Sequence, residues 1–113
     1  MHEMALSESI IGILETEAVR NNFARVKKVF LEIGPFSGVE VEALRFSFEV
    51  VARGTIAENA DLEIETPEAQ AHCFVCDTYI HLKNRYDACP RCGGHQLHMT
   101  SGEEMKIKEL EVE

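Results

Sequence analysis

The residues best placed to do chemistry are four cysteines, Cys73, Cys76, Cys89 and Cys92, which fall in two CxxC pairs within one twenty-residue stretch. A CxxC turn presents two sulfurs to one ion without long-range folding. Two such turns close the tetrahedron that zinc prefers. Twelve residues, 77–88, separate the pairs, enough for a short hairpin that brings the turns face to face. In a chain with no export signal, paired CxxC units read as metal ligands before they read as disulfides. Four thiolates leave no open coordination position, so the expected ion is structural and stabilises a stretch too short to build a core. Gly93 follows the second pair, where a residue without a side chain lets backbone amides approach the sulfurs. Two other chemistries compete. A redox CxxC ordinarily works alone, and the second pair argues against it; iron in a four-thiolate site also suits Cys89-Pro90-Arg91-Cys92-Gly93.

A second constellation opens the chain, where Met1 is followed by His2 and Glu3. A histidine in second place lets the terminal amine, the deprotonated His2 amide and the imidazole close two fused chelate rings around one ion. Three nitrogens in a plane suit nickel(II), with the fourth position left for a side chain or an acceptor protein. The plain alternative is a solvated histidine. His72, His81, His95 and His98 lie in or beside the cysteine stretch. Four thiolates do not need them, so they are expected as solvated or supporting residues, with a transient second metal as the other reading.

The elements that must position these groups follow from apolar spacing. Leu6, Ile10, Ile13, Leu14 and Ala18 recur three or four apart, so Met4 to about Arg20 is expected as a helix. Val29, Leu31 and Ile33 alternate with Phe30 and Glu32, which predicts a strand over 25–33. Ser37 and Glu40 have capping-box spacing, so a second helix is expected from near Val39 with Val41, Leu44, Phe48 and Val51 on one face and a stop at Gly54. Leu62 and Ile64 mark a second strand, Pro67 to Gln70 a linker, Thr100 to Gly102 a turn, and Met105 to Val112 a closing strand whose phase slips between Ile107 and Leu110. The expected fold is α+β: two helices packed on a three-stranded mixed sheet, with a small four-cysteine module resembling a zinc ribbon inserted before the last strand. The expected domains are 1–68 with 101–113, and 69–100.

Totals narrow the function. The 113 residues carry 20 acidic against 11 basic side chains, a net charge of −9, so the averaged surface repels the phosphate backbone that drives nucleic-acid binding. No nucleic-acid partner is expected. No apolar run approaches the roughly 18 residues of a membrane span and no signal core is present, so a soluble, cytoplasmic chain is expected. No nucleophile, base and orienting group recur together, so no enzyme is expected.

Met1-His2-Glu3 opening a helix, Ile33-Gly34 through Ser37-Gly38-Val39-Glu40, Gly54-Thr55-Ile56-Ala57-Glu58, the CxxC pairs and the closing strand, in this order, resemble the HypA family of hydrogenase nickel chaperones. The likeness covers essentially the whole chain. It implies a nickel-binding α/β domain and a zinc domain, with His2 as the essential nickel ligand, Met1 contributing its amine, and Glu3 and Glu40 as candidate supporting carboxylates. It further implies Ni(II) as cargo, Zn(II) on the cysteines, a HypB-type GTPase partner and delivery to the [NiFe]-hydrogenase large subunit, with urease served by some members. A monomer or weak homodimer is expected. Both glutamates have structural alternatives: Glu3 favours the positive end of its helix, and Glu40 completes its capping box. The competing function is a zinc-ribbon module recruiting protein or nucleic acid, which the cysteine spacing permits and the acidic balance opposes.

Overall fold

The computed structural model describes residues 2–113, and of His2 only the backbone. Met1 and the His2 side chain, both expected nickel donors, lie outside the described residues. The chain divides into two compact units. One comprises residues up to Leu31, Val39–Ile64 and Ile107–Glu113; the other comprises Glu32–Gly38 and Glu65–Lys106.

The first unit begins with α1 (His2–Asn21). Its buried stripe is Ser7, Ile10, Ile11 and Leu14, the i, i+3, i+4, i+7 pattern of an amphipathic helix. Ile13, expected on that face, is instead 47% exposed, because the stripe is centred one step around the helix on Ile11. Ser7 can sit in the core because its hydroxyl donates to the Glu3 carbonyl at 2.9 Å. Strand β1 (Val26–Ile33) buries Val29, Leu31 and Ile33 as its alternation requires.

Helix α2 (Val41–Ala52) buries Leu44, Ser47, Phe48 and Ala52 and packs against α1. The expected capping box does not form. Gly38 takes φ +79°, which breaks any helix begun at Ser37, and Glu40 is itself extended at φ −85°, ψ 109°, so Glu40 becomes the N-cap, and its side chain makes no capping bond. A carboxylate from α1 serves this end instead: the Glu40 backbone N–H donates to Glu3 Oε2 at 3.2 Å. The helix stops before Gly54, at φ +77°.

Strands β2 (Asp61–Glu65) and β6 (Met105–Val112) flank β1 in a sheet of order β2-β1-β6. Arg25 and Glu113 exchange both backbone bonds while Gly34 donates to Glu104, so β1 and β6 run antiparallel. Half-buried Met105, Ile107 and Leu110 in β6 carry the phase slip expected from the sequence.

The second unit holds a three-stranded sheet of order β4-β3-β5, made of β3 (Ala69–Cys73), β4 (Thr78–Leu82) and β5 (Leu97–Ser101), with both neighbours antiparallel to β3. Two expectations fail here. The segment 67–70 is not simply a linker, because β3 starts at Ala69, and Thr100 and Ser101 belong to β5, so the turn falls on Gly102–Glu104. The buried set is small: Ala69, Ala71, Cys73, Ile80, Leu82 and Cys89, with Phe36, Cys76 and Leu97 against it. Gly34 is required where it stands, since a Cβ there would lie 2.2 Å from the Gly102 carbonyl oxygen, which accepts the Phe36 N–H at 2.7 Å.

Candidate metal centre

The first CxxC closes the β3–β4 hairpin rather than preceding it. Cys73 ends β3 opposite Thr78, residues 74–77 turn, and Asp77 completes the turn at φ 52°, a left-handed conformation that aspartate tolerates. The second CxxC lies in the loop before β5 and repeats this plan. Gly93 follows Cys92 at φ +75°, its N–H donates to the Cys89 carbonyl at 2.8 Å, and the Cys89 N–H donates to the Gly94 carbonyl at 2.8 Å. The Phe74 N–H donates to the Gln96 carbonyl at 2.9 Å and ties one turn to the loop carrying the other.

The four sulfurs converge. All lie within 4.8 Å of one another, with Cys73–Cys92 at 3.6 Å and Cys76–Cys89 at 3.8 Å. Four sulfurs about 2.3 Å from one tetrahedral ion would stand about 3.8 Å apart. The donor set therefore fits a single thiophilic cation, bound with no position to spare. Cys73 and Cys89 are sealed at 0% and 2% exposure, whereas Cys92 is exposed.

Electrostatics separate the thiols. The Cys76 amide, with that of Val75, holds the Cys73 thiol below its usual range against the opposing effect of burial. The Cys92 and Arg91 amides bring Cys89 down to about 6, again against burial. At Cys92 the Gly94 amide pulls downward, but the Cys73 sulfur, burial and the other two sulfurs outweigh it and push the thiol up to about 11. Crowded thiolates repel until a cation sits among them, which is what a metal-binding cage requires.

At the other candidate site, the structure brings Glu3 and Glu40 together through the Glu3 carboxylate and the Glu40 amide. The histidines diverge in role. His72 Nε2 lies 2.9 Å from Asp77 Oδ1, and His81 Nε2 lies 3.1 Å from Gln70 Nε2. None of the four joins the sulfur cluster. Sequence reasoning missed Asp77 and Thr78, whose hydroxyl is 3.3 Å from Cys76 Sγ. Their positions directly after the first CxxC were the available signal. It also missed Arg85, which donates to the Phe36 carbonyl at 2.9 Å and to Glu103 at 3.2 Å.

The model of the hydrogenase/urease nickel-incorporation metallochaperone HypA matches residues 1–112. The chain belongs to the HypA family. Hydrogenase maturation factor HypA of Azotobacter vinelandii is 50% identical over 113 residues, and HypA 2 of Bradyrhizobium diazoefficiens 54%, each covering the whole of both chains. The solution structure of the nickel metallochaperone HypA from Helicobacter pylori superposes with a TM-score of 0.73 at 24% identity, covering 99% of this chain and 97% of that one. A second solution structure of a HypA protein gives 0.75. As a HypA-family member the chain is a metallochaperone of hydrogenase maturation, not an enzyme. No helix among the described residues is long and apolar enough to cross a membrane.

Proposed function

We propose that this HypA-family chain holds nickel(II) as cargo at Met1 and His2 and passes it on within a complex with a HypB-type GTPase. The acceptor is the [NiFe]-hydrogenase large subunit, with urease maturation as a second destination. In this reading residues 1–68 with 101–113 form the nickel domain, residues 69–100 form the zinc domain, and the chain works in the cytoplasm as a monomer or weak homodimer.

The observation that carries the reading is the closed cysteine cage. Four sulfurs within 4.8 Å of one another saturate a tetrahedral ion, so cargo that must leave needs other donors. Zinc suits the cage because it has no redox chemistry and prefers four ligands. The amino-terminal donors are the terminal amine, the His2 amide and the His2 imidazole. His2 opens α1, and the first amides of a helix have no intrahelical acceptor, so the His2 amide can give up its proton without breaking a helical bond. Glu3 and Glu40 act as supporting carboxylates that offset the ion's charge. Because amine, amide and imidazole must all be deprotonated, nickel affinity falls as pH falls.

The test is a two-metal analysis of the chain with its native start, with one extra residue before Met1, and with His2→Ala. The expected result is one zinc per chain in all three and one nickel in the first alone. Equal nickel affinity in the extended or His2→Ala chain ends the cargo reading. A coloured, redox-active iron centre in place of zinc ends the cage assignment.

A further inference from the structure

We propose that His72 and His98 form a second, solvent-facing metal site on the open face of the β4-β3-β5 sheet, suited to a divalent transition ion such as nickel(II). β3 turns Ala69, Ala71 and Cys73 inward, and Gln70 and His72 the other way. Its register with β5 sets His72 directly opposite His98, beyond the irregularity between Gln70 and Ala71. His98 is exposed, as outward alternation on β5 requires. Side chains directly opposite in an antiparallel pair have Cβ atoms about 4.5–5.5 Å apart, within reach of one ion about 2.1 Å from each imidazole nitrogen.

A second observation concerns His72 alone. Its Nε2 lies 2.9 Å from Asp77 Oδ1, and its ring meets Phe74 edge-on at 4.9 Å and Tyr79 at 5.1 Å. A carboxylate on one ring nitrogen fixes the tautomer, makes the other nitrogen a better donor and aims it, the arrangement found behind metal-bound histidines. Here that leaves Nδ1 as the ligand atom. The left-handed turn at Asp77, directly after the first CxxC, is what places this carboxylate.

Imidazole donors select borderline transition ions over magnesium or calcium. Two protein ligands leave water in the remaining positions, so the ion exchanges readily. His81 shares the face, but its cross-strand partner is Gln70, and its Nε2 lies beside that side chain. The site is independent of how nickel is held at the amino terminus.

The test uses the full chain with zinc in its cysteines and His2→Ala to remove the amino-terminal imidazole. Nickel(II) is titrated by equilibrium dialysis, with imidazole resonances followed by NMR and zinc content checked throughout. Expected is one further nickel per chain, the His72 and His98 ring signals broadening before those of His81 and His95. His98→Gln weakens that binding at least tenfold, and Asp77→Asn, which keeps the left-handed turn, weakens it about tenfold. His98→Gln is chosen over His72→Gln because His72 adjoins Cys73. The proposal is overturned if no further nickel binds, if His81 or His95 broadens first, if nickel enters only by displacing zinc, or if both variants bind as the parent does.

Discussion

Glu3 offers a sharp test, because one carboxylate stands where a structural and a metal-binding role meet. It lies in the first turn of α1, and its Oε2 accepts the amide of Glu40, the N-cap of α2 that provides no cap of its own. An acid in a first helical turn contributes about 0.3–1 kcal/mol, and a hydrogen bond to a charged acceptor up to about 3 kcal/mol where shielded. This bond is exposed, so Glu3→Ala is expected to cost about 1–2 kcal/mol in all. At about 4–8 °C per kcal/mol for a unit of this size, the far-ultraviolet helix signal should melt roughly 4–16 °C lower. Glu3→Gln keeps a carbonyl acceptor and loses the charge, so its melt should fall by only a few degrees. In parallel nickel titrations, Glu3→Gln should stay within about threefold of the parent, because a hard carboxylate is a poorer planar nickel donor than nitrogen. An unchanged melt for Glu3→Ala, or nickel loss in Glu3→Gln as complete as in His2→Ala, would refute the reasoning.

The remaining predictions concern the cysteine unit. Chelating its metal should expose residues 65–106 to limited proteolysis, because two of the six residues in its buried hydrophobic cluster are cysteines, while the amides of Ile10, Leu14, Leu44 and Phe48 stay protected from exchange. Continued protection of both units would contradict this. Zinc uptake by the metal-free chain at neutral pH should release fewer than four protons, since Cys89 at about 6 is already ionised, whereas Cys92 at about 11 must give up its proton. Uptake should therefore tighten as pH rises toward the Cys92 value and weaken as it falls; calorimetry in buffers of differing ionisation enthalpy gives the count, and four released protons would be the contrary result. Gly34→Ala places a methyl 2.2 Å from the Gly102 carbonyl oxygen and should lower stability by about 1–3 kcal/mol, read as an earlier urea midpoint of the metal-loaded protein.

The two helices were legible because Ile10 with Leu14, and Leu44 with Phe48, repeat at the helical period and are buried. The start of α2 was not, because capping-box spacing cannot reveal that Gly38 takes a positive φ and that Glu3, distant in sequence, serves the end instead. The three strands of the second sheet were not legible for a related reason. In β3, alanine, glutamine, histidine and cysteine lack the branched bulk that marks strands, and the inward residues Ala69, Ala71 and Cys73 join a cluster that also holds Cys89. The cage itself was plain, since CxxC turns are local. The pairing of His72 with His98 and the partnership of His72 with Asp77 depend on register and turn geometry, which spacing does not reveal.

Unequal exposure of the sulfurs gives the cysteine cage a direction. Cys73 and Cys89 are buried, Cys76 is half-covered, and Cys92 alone is exposed. An oxidant, a competing thiol or a chelator must therefore knock at the Cys92 corner first. Loss of the ion begins there as the unlatching of one ligand, with three still gripping, and re-closing that single latch restores the whole.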